Sequence, residues 1–144
     1  DKALLIPDRK EETYITDQMG VAGKNLFLWY EDGGCKLQVT PEGSKKPRER
    51  KWLKPMAPCY FIKSPGSRKV QVFQRDKTTR VIAVLGTPAV SKNAGEDKRC
   101  GREVQGLIVN ADGHVRHSTR ILSGSIYCSE QGLDNFQYSL FHGS

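Results

Sequence analysis

Short apolar runs separated by turn residues are the feature that most constrains the fold of this chain. "LFLWY" (26–30) and "CKLQVT" (35–40) flank "EDGG", and an Asp-Gly pair accepts the positive φ angles of a tight turn. In the second run, Cys35, Leu37 and Val39 alternate with polar residues, which is the period of a half-buried strand. The two runs therefore predict a β-hairpin.

Further runs along the chain have the apolar content of short strands. The run at 79–86 is apolar at consecutive positions and is rich in branched residues, which indicates a strand buried on both faces. Many short strands joined by turns predict a mainly β chain, either a sandwich or a partly open barrel with few or no helices. The runs concerned are "CYFIK" (59–63), "KVQVFQ" (69–74), "TRVIAVLG" (79–86), "VQGLIV" (104–109), "HVRH" (114–117), "SIYC" (125–128) and "FQYSLF" (136–141).

The length of 144 residues fits a single β-rich domain over 1–144. Residues 1–20 are interpreted as a possible lead-in segment, in which 8–19 form a short helix or a polar stretch. Residues 86–102 are interpreted as a long polar loop. No apolar run reaches the roughly 18–20 residues that cross a membrane, and the start at Asp1 suggests a processed product or an excised piece.

Positive charge is concentrated in one quarter of the chain. Residues 1–44 carry five basic and eight acidic side chains, a net charge of −3. Residues 45–80 carry twelve basic and two acidic side chains, a net charge of +10, and residues 81–144 carry six of each. Such a block creates a local positive potential that attracts polyanions, although a solvated loop kept soluble by its charges is the simpler interpretation.

The densest part of this block is "KKPRERKWLKP" (45–55). Its two prolines disfavour a central strand and predict an extended arm or loop. Lysine and arginine suit phosphate groups, and Trp52 either stacks on a base or anchors the loop in the core. "KKPR" also fits a minimal nuclear-import pattern. The predicted nucleic-acid-binding residues are Lys45, Lys46, Arg48, Arg50, Lys51, Trp52, Lys54, Arg68, Lys69 and Arg75.

The four cysteines leave two states open. Cys35, Cys59, Cys100 and Cys128 form no C-x-x-C pair, so the common zinc and redox spacings are absent. Three disulfide pairings are possible, but apolar surroundings also suit buried free thiols. The absence of an N-x-S/T glycosylation acceptor weakly disfavours secretion.

Motifs for metal binding and catalysis are weak. His114 and His117 point to opposite faces of a strand, so an irregular zinc site with Cys100 and Cys128 is disfavoured and no metal or cofactor is expected. The chain has neither the spacing of a phosphate-binding loop nor a nucleophile elbow. The sequence therefore indicates a protein that is not an enzyme.

These observations favour a non-enzymatic binding domain with a basic face for polyanions, with nucleic acid as the preferred partner and a nuclear or cytoplasmic location. The alternative is a secreted or cell-surface module with disulfides that binds protein or sulfated glycan. A structural or assembly domain with a protein partner is the third hypothesis. The state of the cysteines separates the first two, because disulfides form in oxidising compartments.

Overall fold

A computed structural model describes residues 13–46, 48–87, 89–91 and 98–142. Within these residues the chain is mainly β, as predicted. The elements are β1 (Thr13–Val21), β2 (Lys24–Glu31), β3 (Gly34–Pro41), β4 (Arg50–Leu53), β5 (Cys59–Phe61), β6 (Phe73–Gln74), β7 (Thr79–Gly86), β8 (Ala89–Ser91), β9 (Lys98–Gly101), β10 (Glu103–Asn110), β11 (Val115–Leu122), β12 (Tyr127–Cys128) and the helix α1 (Asn135–His142).

The strands form three antiparallel sheets. Sheet A has the order β1-β2-β3-β4, sheet B has the order β11-β10-β7-β5 with β6 also paired to β7, and the small sheet C has the order β12-β9-β8. The predicted hairpin is confirmed as β2 and β3. Asp32 and Gly33 make its turn with φ angles of 51° and 78°, which is the conformation that an Asp-Gly pair permits.

Sheet A packs on one face of sheet B, as in a β-sandwich. Leu26, Leu28 and Leu37 from sheet A meet Phe61 and Ile82 from sheet B in one apolar cluster. A second cluster lies on the other face of sheet B and is covered by α1. Strands β7 and β10 are thus buried on both faces, which explains their continuous apolar sequences.

The prediction of a strand over 136–141 is wrong, because this segment lies in α1. The N–H of Gln137 donates to Oδ1 of Asp134 at 2.8 Å, and the N–H of Asp134 donates to Oε1 of Gln137 at 3.0 Å. This reciprocal cap starts a helix. Burial then follows helical spacing, with Tyr138 and Phe141 in the core while Phe136 is 71% exposed.

The lead-in interpretation of 1–20 is wrong for its described part, since residues from Thr13 onward belong to β1. Pairing with β2 shifts register between Ile15 and Asp17, so a β-bulge interrupts the alternation that would have revealed a strand. The hydroxyl of Thr16 donates to the carbonyl oxygens of Leu28 and Cys59 at 3.2 and 2.6 Å. Residues 1–12 lie outside the described residues.

The interpretation of 86–102 as one long loop is also wrong, because β8 and β9 lie within it. These strands are short and are paired in sheet C with β12. A disulfide between Cys100 and Cys128 joins β9 to β12, so covalent linkage accompanies the pairing there. Pro88 and residues 92–97 lie outside the described residues.

The second disulfide, between Cys35 and Cys59, joins β3 of sheet A to β5 of sheet B through the core. Both residues are buried as the strand pattern predicted, and of the two states that the sequence left open the structure has the disulfides. Apolar burial favours a reduced cysteine and a buried disulfide alike, so the pattern alone did not separate the two states. No described helix is both long and apolar enough to cross a membrane.

We predict that the core disulfide contributes more to stability than the disulfide of sheet C. The double variant Cys35→Ala/Cys59→Ala should lose about 3 kcal/mol or more of unfolding free energy in urea denaturation, through lost loop closure and lost core packing. The variant Cys100→Ala/Cys128→Ala is a matched control, because the two bridges span 24 and 28 residues. Equal losses in the two variants would contradict a packing role for the core bridge.

Candidate anion-binding cleft

The sandwich is open along the edge where β3 and β4 of sheet A face β11 of sheet B. A cleft of about 340 Å³ lies there. Its walls combine apolar and basic side chains with one carboxylate. The lining residues, which we call the basic cleft, are Lys24, Leu37, Val39, Arg48, Glu49, Lys51, Gly113, His114, Val115 and His117.

Strand β4 supplies Lys51 to the cleft because its side chains alternate. Lys51 lies opposite Leu37 of β3, and Leu37 belongs to the core between the sheets. Lys51 is therefore on the inward face of sheet A, but at an edge strand where it remains exposed. A lysine there can pack its methylene stem on apolar neighbours and keep its ammonium in water.

Two turns at one end of the sandwich close the cleft. Lys24 follows the β1–β2 turn, and Gly113 lies in the turn between β10 and β11. A Cβ atom added at Gly113 would lie 2.7 Å from Cε of Lys24, so the glycine leaves the space through which the lysine stem passes. The loop between β3 and β4 joins the same end, where the N–H of Glu42 donates to the carbonyl oxygen of Gly23 at 3.0 Å.

The pKa of His117 depends on its burial and on the charged side chains near the cleft. Its pKa is lowered from the ordinary value, first by burial and then by the positive charges of Lys51 and Lys54. Lys54 is held near β11, where its Nζ donates to the carbonyl oxygen of Thr119 at 2.7 Å. Lys24, Arg48 and Lys51 outnumber the single carboxylate, Glu49, among the charged lining residues, so the cleft has a net positive formal charge.

The residues of the basic stretch, 45–55, lie on different surfaces of the structure. Arg48 and Lys51 line the cleft. Lys45 and Lys46 are exposed in the loop that leads to β4. The prediction of an arm or loop over 45–55 is therefore correct for its first part and wrong for Arg50–Leu53, which form β4.

Arg50 and Trp52 lie on the outer face of sheet A, away from the cleft. The guanidinium of Arg50 is 3.6 Å from the ring centroid of Trp29 and donates to Oε1 of Glu31 at 2.7 Å. Trp52 is 53% exposed and is absent from the core. The alternative in which Trp52 anchors the loop in the core is thus wrong.

The other predicted binding residues lie on separate segments of sheet B. Arg68 and Lys69 belong to a turn between β5 and β6, and β5 is the edge strand opposite β11. Lys63, at the base of that turn, bonds Asp17 of β1. Arg75 lies in the turn between β6 and β7. Arg68 and Lys69 therefore do not lie on the same surface as Lys51.

Lys24, His114 and His117 are cleft residues that the sequence interpretation missed. The run "HVRH" was predicted correctly as part of a strand, β11, which forms a hairpin with β10. No local signal connects that hairpin to β4, because the contact arises only when the two sheets pack. Within the described residues, no group of three or more His, Cys, Asp or Glu side chains could hold a metal ion.

We predict that Lys51 and His117 are electrostatically coupled. An NMR titration should place the pKa of His117 below about 6.5, and Lys51→Gln should raise it because a repelling charge is removed. Because the pKa of His117 is lower in the folded state than in the unfolded state, neutral His117 stabilises the fold above the unfolded-state pKa. This contribution to the unfolding free energy is lost as the pH falls through the folded-state pKa. Lys46→Gln, an equal charge change in the exposed loop, should leave the titration unchanged, and an unchanged midpoint in Lys51→Gln would contradict the coupling.

Comparisons with known proteins found no relative from which a role for the cleft could be taken. Known protein-family models, curated proteins and solved structures all give no match to this chain. A function for the cleft therefore has to follow from the chemistry of its own side chains.

Proposed function

We propose that this protein is a non-enzymatic binder of polyanions and that the basic cleft receives an anionic group of the ligand. The observation that carries this proposal is that Lys51 and His117 line one cleft in which Glu49 is the one carboxylate among the lining residues. Cations gathered in one cleft repel one another, and an anion that enters stabilises them. Arg48 and Lys24 line the same space and supply further donors.

The size of the cleft and the donors that line it also suit an anionic group. The cleft volume of about 340 Å³ is at the lower end of the range for small-molecule sites, which suits one substituent or sugar unit of a larger chain. Arginine offers a planar set of donors and lysine a compact charge, and both bind sulfate and phosphate oxygens strongly.

The disulfides favour a sulfated glycan over nucleic acid as the polyanion. Disulfides persist in secreted and cell-surface proteins and are rare in the nucleus and cytosol. The two bridges, Cys35–Cys59 and Cys100–Cys128, thus support the secreted alternative over a nuclear or cytoplasmic location. In that setting sulfated glycans are the abundant polyanions.

The test is calorimetric titration with a heparin-derived oligosaccharide as the sulfated probe. Arg48→Glu/Lys51→Glu should weaken binding at least tenfold, because two charge-assisted contacts, each contributing about 1.5–3 kcal/mol, are replaced by repulsion. Affinity of the unmodified protein should also fall steeply as salt is added, as counterions are released on binding.

The matched control is Arg68→Glu/Lys69→Glu, which makes the same charge change at the opposite edge of sheet B. It should retain most of the affinity of the unmodified protein. Equal losses in the two variants would show attraction by net charge alone and would contradict a site in the cleft. Tighter binding of a DNA duplex of equal charge at the same salt concentration would favour nucleic acid instead.

Protonation of His117 should strengthen this binding. An anion in the cleft stabilises the imidazolium, so the affinity for the sulfated oligosaccharide should rise as the pH falls from about 7.5 to about 5.5. In His117→Gln the rise should be smaller, and any remainder should belong to His114, which lines the same cleft. A pH profile that is identical in the variant and the unmodified protein would exclude His117 from the site.

A further inference from the structure

The outer face of sheet A interleaves aromatic rings with charged side chains. One row crosses all four strands of the sheet, with Ile15 opposite Trp29, Trp29 opposite Lys36 and Lys36 opposite Trp52. These side chains alternate with the inward residues of the core, such as Leu37. The face therefore combines flat apolar surface with hydrogen-bonding groups.

Glu31 fixes the two cations of this face. Its carboxylate accepts hydrogen bonds from Arg50 at 2.7 Å and from Nζ of Lys36 at 3.1 Å, and these contacts, that of Arg50 first, hold the pKa of Glu31 below its usual range. Nζ of Lys36 lies 4.2 Å from the ring centroid of Trp52. A ring held by a cation loses little freedom when a ligand stacks on it.

The indole of Trp52 has space on the sheet because residue 34 is glycine. A Cβ atom added at Gly34 would lie 2.6 Å from Cζ3 of Trp52 and 3.2 Å from Cε3. The ring therefore lies close against β3, yet 53% of the residue is exposed. The result is a partly exposed aromatic platform, formed by the indole of Trp52 with the ammonium of Lys36 over its ring and Glu31 close by.

A sugar ring suits such a platform. The axial C–H groups of a pyranose form an apolar face that packs on indole, and its hydroxyl groups bond to neighbouring charged side chains. Two cations against one carboxylate leave the platform with net positive charge, from Lys36, Arg50 and Glu31. That charge complements a sugar that carries sulfate or carboxylate groups.

The platform and the basic cleft meet at β4, an edge strand that pairs only with β3 within the described residues. Along β4, Arg50 and Trp52 are on the outer face and Lys51 is on the cleft side. We infer that an acidic glycan crosses the edge of β4, with one anionic group in the cleft and one pyranose ring stacked on Trp52. This inference rests on the proposed function and adds the second contact.

Probes of two lengths distinguish the contact in the cleft from the contact on Trp52. A sulfated disaccharide is expected to occupy the cleft alone, whereas a long heparin-derived oligosaccharide can also extend across β4 to Trp52. Trp52→Ala should weaken binding of the long probe about tenfold, a loss within the range found for one base stacked on an aromatic side chain, and should leave the disaccharide affinity unchanged. Trp52→Phe should recover part of the loss because it restores an aromatic ring.

Phe136→Ala is the control for loss of an exposed aromatic side chain, since Phe136 lies on α1 and is 71% exposed. It should bind the long probe as the unmodified protein does. The indole N–H signal of Trp52, identified by its absence in Trp52→Phe, should shift when the long probe is added. The indole of Trp29, which donates to Gln38 at 2.9 Å, should shift less.

Unchanged affinity of Trp52→Ala for the long probe would overturn the inference while leaving the cleft intact. Failure of the proposed function is distinct, because then Arg48→Glu/Lys51→Glu would bind both probes as tightly as the unmodified protein. A loss in Trp52→Ala confined to a single-stranded oligonucleotide would also overturn the glycan assignment, since it would show that the ring stacks on bases.

Discussion

Burial of β7 and β10 on both faces is the constraint on which the rest of the structure depends. Ile82 and Val84 of β7 face sheet A, whereas Val81, Ala83 and Leu85 face α1. A strand with this pattern requires cover on both sides, so sheet A and the C-terminal helix are both needed to exclude water. The disulfide from β3 to β5 ties sheet A across this core, while the opposite edge, between β4 and β11, stays open as the basic cleft.

The alternation of β4 connects this architecture to the proposed binding. One short edge strand presents Trp52 outward and Lys51 to the cleft, so a single segment of the basic stretch serves two surfaces. Edge strands are exposed to pairing with other chains, and charged side chains discourage this. The same charged side chains are the ones that the proposed anionic ligand would contact at β4.

Local features were predictable from the sequence, and features that depend on distant packing were not. The turn at Asp32 and Gly33 is encoded by two adjacent residues and was predicted correctly. Helix α1 had a usable signal, the capping pair of Asp134 and Gln137, which the apparent alternation of 136–141 obscured. The approach of His117 to Lys51 depends on the docking of two sheets, for which no short motif exists.

The most direct test of binding at the cleft is to map the contact surface of a sulfated oligosaccharide by backbone amide shifts in NMR. Binding at the cleft predicts that the largest shifts cluster at Lys24, Arg48, Lys51, Gly113 and His117, which are far apart in sequence and adjacent in the structure. Arg68 and Lys69, equally basic and exposed, should shift little. Shifts centred on Arg68 and Lys69, or spread evenly over all basic residues, would contradict a binding site between β4 and β11.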